Sequence, residues 1–421
     1  MKRFLTGRTV ALAVCLALAV VAAAVAASSA RSKPDKGVSL TIGNLGELTG
    51  SMSPFGAPMV KAGKLAVDAA NQAAQKAGFA LKVKQTVADA QGDPQAALQA
   101  ARTLVGGGAS CLTGPAITPE AIAIAQGLTI QKKVLLWPQA TSTRLRTIDD
   151  KGTIFRTVPP DSLQARALAI AVRSSFKSPK GKVVSIAYRN EPYGEGLSKD
   201  FSTAWKKMGG KVQGPVAFDP NQASYDSEAA KIVSGNPDAF LIIDYPDTFA
   251  KMGAALLRTG KYDAHKAFVA DALSFATVPK NIPKQALEGA RGTVAGTPQS
   301  TAAWRAFDRL WKKSGGAHFS LDTNEFDATM LCILAAASAR SSSPAALQAN
   351  IRRVANPPGK KYTFTQLTAA LRALKAGKDI NYEGVSGPVD LDKRGDPTTG
   401  LYDIFQFKNG KLVTIRQVNA K

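Results

Sequence analysis

Residues 81–119 read LKVKQTVADAQGDPQAALQAARTLVGGGASCLTGPAITP. A β-rich run (81–87) gives way to Asp93-Pro94, which supplies an N-cap and an N1 proline to a segment of helical period ending at Gly106-Gly107-Gly108. A strand through Cys111-Leu112-Thr113 follows, and Thr118-Pro119-Glu120 opens another helix by the same cap logic. Strand, helix, strand, helix with connections this short requires parallel pairing through right-handed crossovers. That predicts a doubly wound sheet with helices on both faces.

The alternation extends outward. Upstream, 38–43 reads as a strand and 57–77 as a helix, with Val60, Ala62, Leu65, Ala66, Ala69 and Ala73 at helical spacing. Downstream, 134–137 is a strand, and the pattern then restarts through 182–188, 193–208, 211–218, 224–234, 239–243, 246–257 and 266–270. Between the two series, Phe155-Arg156-Thr157-Val158-Pro159-Pro160 suits an extended crossing strand, because a residue before proline is pushed out of the helical region. Residues 301–375 are almost entirely helical in period and are expected to return and cover the first sheet. The predicted fold class is therefore α/β, with two doubly wound parallel-sheet lobes joined by crossing hinge strands. Lobe 1 comprises 38–158 with 297–388, and lobe 2 comprises 159–296 with 399–421.

Residues 1–30 read as a signal peptide. Lys2, Arg3 and Arg8 form a basic start, 10–27 carries no charge, and Ser28-Ser29-Ala30 offers a cleavage site. The same apolar stretch is just long enough to serve as an uncleaved anchor. Cys15 is no lipidation site, since it lies mid-stretch behind branched Val14. The chain is thus expected to be exported. Its formal charge is +23, and without Lys2, Arg3 and Arg8 it is +20. The basic residues fall in scattered pairs such as Lys132-Lys133 and Arg352-Arg353, with no aromatic-interleaved stripe, so a solvated surface is predicted and no nucleic-acid partner. Two histidines and three cysteines are too few for a zinc ribbon or an iron–sulfur site, and no metal or cofactor is expected. Cys111 and Cys332 would meet an oxidising compartment, where a bridge and an unpaired buried thiol are both open readings.

Ligands of open α/β sheets bind beyond the carboxyl ends of the strands, and with two lobes the cleft between them is the natural place. The loops at that edge nominate the candidates. Thr118 begins a helix whose free N–H groups and dipole suit a carboxylate; a plain N-cap explains it equally. Gln139 and Thr141 follow a strand end. Asp244 and Asp271 end two apolar strands of the second lobe, where either could meet a ligand ammonium or cap the next helix. Tyr193 and Tyr245 could close over an apolar ligand part, or simply pack.

Gly46-Glu47-Leu48-Thr49-Gly50 with Phe55-Gly56, then DAQGDP (89–94), Gly114-Pro115 leading to Thr118, 138–141, Tyr193-Gly194-Glu195-Gly196, and GVSGPVDLDKRGD (384–396) occur in order. Together they resemble the branched-chain amino acid-binding proteins, type I periplasmic solute receptors of ATP-driven importers. The resemblance implies a carboxylate held at Thr118, polar contacts from Gln139 and Thr141, and walls from Phe55, Tyr193 and Tyr245. It also implies an acidic clasp for the ammonium near Ala272, which Asp271 offers one place earlier. A monomer that delivers an amino acid or related small molecule to a membrane permease is expected; a sensory receptor acting through a separate membrane partner is the alternative.

Catalysis is not expected. The chain has no G-x-S-x-G elbow, no H-E-x-x-H and no P-loop, and neither His265 nor His318 has an obvious nucleophile partner.

Overall fold

The computed structural model describes residues 37–421, so the predicted leader at 1–30, Cys15 included, lies outside the described residues. Val38–Lys421 forms one compact unit.

The elements run β1 (Val38–Gly46), α1 (Ser53–Ala77), β2 (Leu81–Asp89), α2 (Pro94–Gly106), β3 (Cys111–Thr113), α3 (Thr118–Ile124, continued by a π-turn) and β4 (Leu135–Trp137). Next come α4 (Asp161–Arg173), β5 (Val183–Arg189), α5 (Pro192–Lys207), β6 (Lys211–Phe218), α6 (Asp226–Val233), β7 (Ala239–Ile243), α7 (Pro246–Arg258), β8 (Ala267–Val269) and β9 (Arg291–Ala295). The remainder is α8 (Ala302–Lys313), α9 (Asp322–Ala339), α10 (Pro344–Ala355), β10 (Lys360–Tyr362), α11 (Leu367–Lys375), β11 (Ile380–Tyr382), β12 (Gly400–Lys408) and β13 (Lys411–Ala420).

The first sheet has the order β2-β1-β3-β4 and is parallel throughout. Its strands alternate between two apolar layers. Cys111, Leu135 and Trp137 pack with α1 and α9, while Leu112 and Leu136 pack with α2 and α3. Helix α1 buries Ala62, Ala66, Ala70 and Ala74 along one stripe and ends at Gly78, whose φ of 60° lets its N–H return to Gln75 O. Helix α2 begins where the sequence placed it: the Asp93 side chain accepts from Gln95 N and Ala96 N at 2.9 and 2.8 Å. The cap reading of Thr118 is corrected. Ile117 holds the N-cap position of α3, Thr118 is already helical, and no side chain caps this helix.

The second sheet has the order β13-β12-β9-β8-β7-β5-β6. It is parallel from β6 to β9, but β12 joins β9 antiparallel and β13 joins β12 antiparallel, so this sheet is mixed where a parallel one was predicted. The Asn409-Gly410 turn, with φ of 54° and 70°, folds β12 and β13 into a hairpin and accounts for the second of these pairings. The segment 301–375 does return to the first sheet, with one exception to its helical reading: β10 pairs with β11 as a separate two-stranded sheet. Helix α9 is buried from Asp322 through Ala337, which accounts for its run of small and apolar residues. Cys332 on α9 is disulfide-bonded to Cys111 on β3, with Cα atoms 6.4 Å apart.

The chain passes between the sheets at 155–160, 296–301 and 383–399. The first passage is tied to the third and to α9. Arg156 N–H donates to Gly395 O at 2.8 Å, the Thr157 hydroxyl donates to Asn324 O at 2.7 Å, and Asn324 Nδ2 returns to Thr157 O at 2.9 Å.

Candidate functional site

The carboxyl ends of β1, β3 and β4 in the first sheet face those of β5, β7 and β8 in the second, and one cavity lies between them. It is lined by Met52, Phe55, Ala116, Gln139, Thr141, Tyr193, Tyr245, Asp271, Ala272, Ser320 and Leu321. Six of the seven predicted residues, Phe55, Gln139, Thr141, Tyr193, Tyr245 and Asp271, therefore meet at one place. Thr118 does not line it; it is buried one turn back, at the start of α3. Asp244 is also elsewhere. It accepts from Tyr245 N at 2.8 Å and from the Thr248 hydroxyl, but Tyr245 holds the N-cap position of α7 and no side chain caps that helix, so Asp244 fills neither the ligand nor the capping role.

The accessible volume is about 20 Å³, the scale of one or two waters. Side chains fill the cleft on one side of this cavity, where Met52, Phe55 and Ile117, carried by the first sheet's loops, belong to the second sheet's apolar cluster; on the other side, past Ser320 and Leu321, lies a second cavity of about 240 Å³. The Phe55 ring meets Phe275 at 6.0 Å and Phe319 edge-on at 4.3 Å. Ser274 Oγ donates to Ser320 Oγ at 2.9 Å, and Ser320 Oγ donates to Ser274 O at 3.1 Å, closing one flank. On the other, Ser142 Oγ donates to Pro192 O at 3.0 Å.

The first loop is held from below. Asp89 at the end of β2 accepts from Leu48 N, Thr49 N and the Thr49 hydroxyl, which explains why the GELTG and DAQGDP motifs occur together. At Gly114, φ is +72° and a Cβ would sit 2.2 Å from Leu45 O, so only glycine allows β3 to turn into α3 against β1.

Tyr193 and Tyr245 stack at 5.5 Å with rings 7° from parallel, and the Arg189 guanidinium lies 4.8 Å from the Tyr245 ring centre. The Tyr193 hydroxyl donates to Asp271 Oδ1 at 2.6 Å. Buried carboxyls surround this centre, and most were missed in the sequence. Asp161, at the start of α4, has both oxygens buried without a hydrogen-bond partner; burial and then the Asp271 charge push its pKa up. Burial likewise raises Asp271. On the first-sheet side Glu325 accepts from Asn44 Nδ2 at 2.8 Å and Gln139 Nε2 at 3.0 Å, leaving Gln139 Oε1 unpartnered. Glu47 accepts from Ala116 N–H at the approach to α3, and burial pushes its carboxyl and that of neighbouring Glu120 up. Among the described residues no cluster of three or more His, Cys, Asp or Glu side chains is arranged to hold a metal ion.

A family model described as a periplasmic binding protein matches residues 39–411. The chain belongs to that family. Among periplasmic binding proteins it is similar to Leu/Ile/Val-binding protein homolog 3 of Brucella melitensis, at 26% identity over 89% of this chain and 93% of that one. It is also similar to BasB of Halobacterium salinarum, a substrate-binding protein of a chemotactic signal transduction system, at 23% identity over 90% and 89% of the two chains. Among solved structures, the leucine-binding protein LivK of Thermotoga maritima superposes with a TM-score of 0.70 at 21% identity, covering 90% of this chain and 98% of that one, which establishes the shared fold. These relatives are solute-binding proteins, not enzymes, so the chain is a binding protein of the type I periplasmic fold.

In this binding protein Glu325 has a measurable signature. Burial pushes its carboxyl up to about 8 from 4.5, outweighing the hydrogen bonds from Thr113, Gln139 and Asn44 that lower it. The folded chain keeps a proton that the unfolded chain releases, so this group's stabilisation is complete below the unfolded value and is lost as pH rises through the folded one. Glu325→Gln removes the titration, and Gln139 can turn its free Oε1 to meet the new amide. The variant is expected to gain stability relative to wild type as urea unfolding is repeated from about pH 5 to about pH 8. An offset between the two proteins that stays constant with pH would contradict the assignment.

Proposed function

We propose that this protein is an extracytoplasmic receptor that captures a small polar solute, an amino acid or related compound, between two lobes and delivers it to an ATP-driven importer in the membrane. The observation that carries this reading is the convergence of Phe55, Gln139 and Thr141 from one sheet with Tyr193, Tyr245 and Asp271 from the other on a single cavity. Similarity to a Leu/Ile/Val-binding protein homologue over nearly the whole chain supports the solute class, and the basic, uncharged-core start of the sequence supports export.

The lobes of this reading are 38–158 with 297–388 and 159–296 with 399–421. A cavity of about 20 Å³ does not admit an amino acid, so entry requires the lobes to part about the passages at 155–160, 296–301 and 383–399. Contacts that bridge both sheets form only on closure, and a ligand that adds to them selects the closed state by differential affinity. A thermal-shift screen against small metabolites tests the reading, since a ligand at about a hundredfold its dissociation constant adds about 2.7 kcal/mol to stability. For a hit, Tyr245→Ala is expected to weaken binding by about tenfold or more, read by calorimetry, because it deletes one wall of the stacked pair. Unchanged affinity would place the site elsewhere.

The similarity to BasB favours one second reading, a sensory receptor on the same fold. Affinity capture separates the two: recovery of a permease supports transport, and recovery of a sensor ectodomain supports signalling.

A further inference from the structure

The connection from α8 to α9, residues 314–321, leaves the first sheet's covering helices and packs on the second sheet. Phe319 and Leu321 lie against the second sheet's apolar cluster, and Ser320 exchanges hydrogen bonds with Ser274. Ser320 and Leu321 line the small cavity, and the same two residues with His318 and Phe319 line the larger one beyond. The segment is thus both the partition between the two cavities and part of the seam between the sheets. Its backbone is held in unusual conformations. Gly315 and Gly316 turn it at φ of 84° each, and Leu321 keeps φ of 74°, a left-handed conformation that a bulky side chain adopts only under constraint.

His318 supplies a constraint. Its Nδ1 lies 2.6 Å from Asp322 Oδ2 and its Nε2 lies 3.0 Å from Asp308 Oδ1, so both ring nitrogens face carboxylate oxygens. A neutral imidazole has one N–H and one lone pair and would set the lone pair against a carboxylate, whereas the imidazolium donates to both. Trp311, stacked at 5.2 Å and 17° from parallel, encloses the ring with Trp304 and Phe307. The other charged groups around it come from three elements. Lys312 of α8 reaches Asp308 at 2.9 Å; Lys61 of α1, attracted by Asp322, has its Nζ 3.8 Å above the Trp311 ring; and Asp403 of β12 lines the larger cavity from the second sheet. Burial works against the charged ring and the two carboxylates outweigh it, so its pKa stands above the ordinary histidine value. With its side chain 31% exposed, the ring can exchange its proton with solvent.

We propose that His318 is a positioning residue for the solute cavity: as an imidazolium clamped between Asp308 and Asp322 it seats Phe319, Ser320 and Leu321 against the second sheet, and without its proton it releases them. Deprotonation removes one donor and turns a lone pair toward a carboxylate, so one arm of the clamp becomes repulsive. The seated segment holds the proton more tightly than the released one. Seating is therefore complete below the released ring's pKa and weakens as pH rises through the seated ring's higher one. The inference takes the cavity's role from the solute-receptor reading above, but the effect belongs to the ligand-free chain.

The test uses the full chain without solute. Of the chain's two histidine ring resonances, the one missing in His318→Gln is that of His318, and its NMR titration is expected to fall above the ordinary value of about 6.5. Amide hydrogen exchange, corrected for its intrinsic pH dependence, reads the seating. Protection of 315–321, and of 272–276 opposite, is expected to fall by about tenfold or more between about pH 6 and about pH 9, because one unit of pKa difference is a tenfold change in the equilibrium. In His318→Gln the same comparison should give less than about twofold; buried carboxyls of the cleft titrate in both proteins, so the difference between the two profiles is the measure. Asp308→Asn keeps the ring and one carboxylate, and should move both the ring titration and the exchange profile to lower pH. A His318 titration at or below the ordinary value, equal pH dependence in wild type and His318→Gln, or an unmoved profile in Asp308→Asn overturns the proposal. So does a loss confined to 315–321, which would make His318 a prop of its own loop. Each of these outcomes leaves the receptor reading standing, since that reading falls only with the solute screen.

Discussion

Asp396→Ala is expected to cost about 3–5 kcal/mol of unfolding free energy, among the largest single-residue effects in this chain. Asp396 holds the Arg156 guanidinium, whose side chain is 0% exposed, through a 2.6 Å bond from Nε. It also accepts from Arg146 Nη1, while Arg146 Nη2 reaches Asp392 at 2.9 Å. Arg156 Nη1 is satisfied by Ala140 O and Ser142 O, but its Nη2 already lacks a protein partner. Removing the carboxylate therefore leaves a buried cation without its counter-charge, and the cost is mainly that stranded charge. Equilibrium urea unfolding measures it. The double variant Arg156→Met with Asp396→Leu is the informative companion, because replacing both charges by apolar groups of similar bulk should recover most of the loss. A loss below about 1 kcal/mol in Asp396→Ala would mean that the pair is screened by solvent in a way its burial does not suggest.

The same cluster shows what the sequence does and does not disclose. The stretch 384–396 stands out as a pattern, and Gly395 is explained once the fold is known: at φ +81° a Cβ there would lie 2.4 Å from Ile154 O. Nothing local says that its aspartates reach Arg146 and Arg156, residues separated from Asp396 by 250 and 240 positions. Such pairings are products of topology.

The strand–helix alternation is local, written in periodicity, caps and glycine stops, and most elements are legible within a residue or two. The β12–β13 hairpin was equally local. Asn409-Gly410 between alternating apolar runs is the signal that would have found it. Six of the cavity residues were legible because strand ends dictate where loops converge. The carboxyls behind them were not. Glu325 sits among the polar residues that open α9, where a solvated first turn is the ordinary expectation, and meets Asn44 across 281 positions, and Asp161 follows two prolines with nothing to mark it as buried. Thr118 was misplaced because a Thr-Pro pair reads as cap and first turn, whereas Ile117 takes the cap position.

The second large effect is expected from the Cys111–Cys332 disulfide. Replacing both cysteines with alanine should destabilise the protein by about 2–5 kcal/mol. The bond joins β3 to α9 across a sequence separation of 221, and both residues are completely buried in the apolar layer between the first sheet and its covering helices. Closing so long a loop in the unfolded chain removes about 5 kcal/mol of conformational entropy in the chain-entropy view, so the bond acts chiefly by restricting the unfolded state. A second consequence distinguishes this cause from a packing defect. Unfolded chains without the crosslink are more expanded, so the denaturant dependence of unfolding, m, should rise in the double variant as the midpoint falls. Cavity formation alone would lower the midpoint and leave m as it was. The bond also bears on the solute site, because α9 carries Glu325 against Gln139, and a helix loosened from β3 no longer fixes the acceptor that Gln139 presents. Affinity for a solute found in the thermal-shift screen should therefore fall in the double variant even at temperatures where it is fully folded. If affinity, midpoint and m all match the wild type, the crosslink neither holds the first sheet to its covering helix nor supports the site.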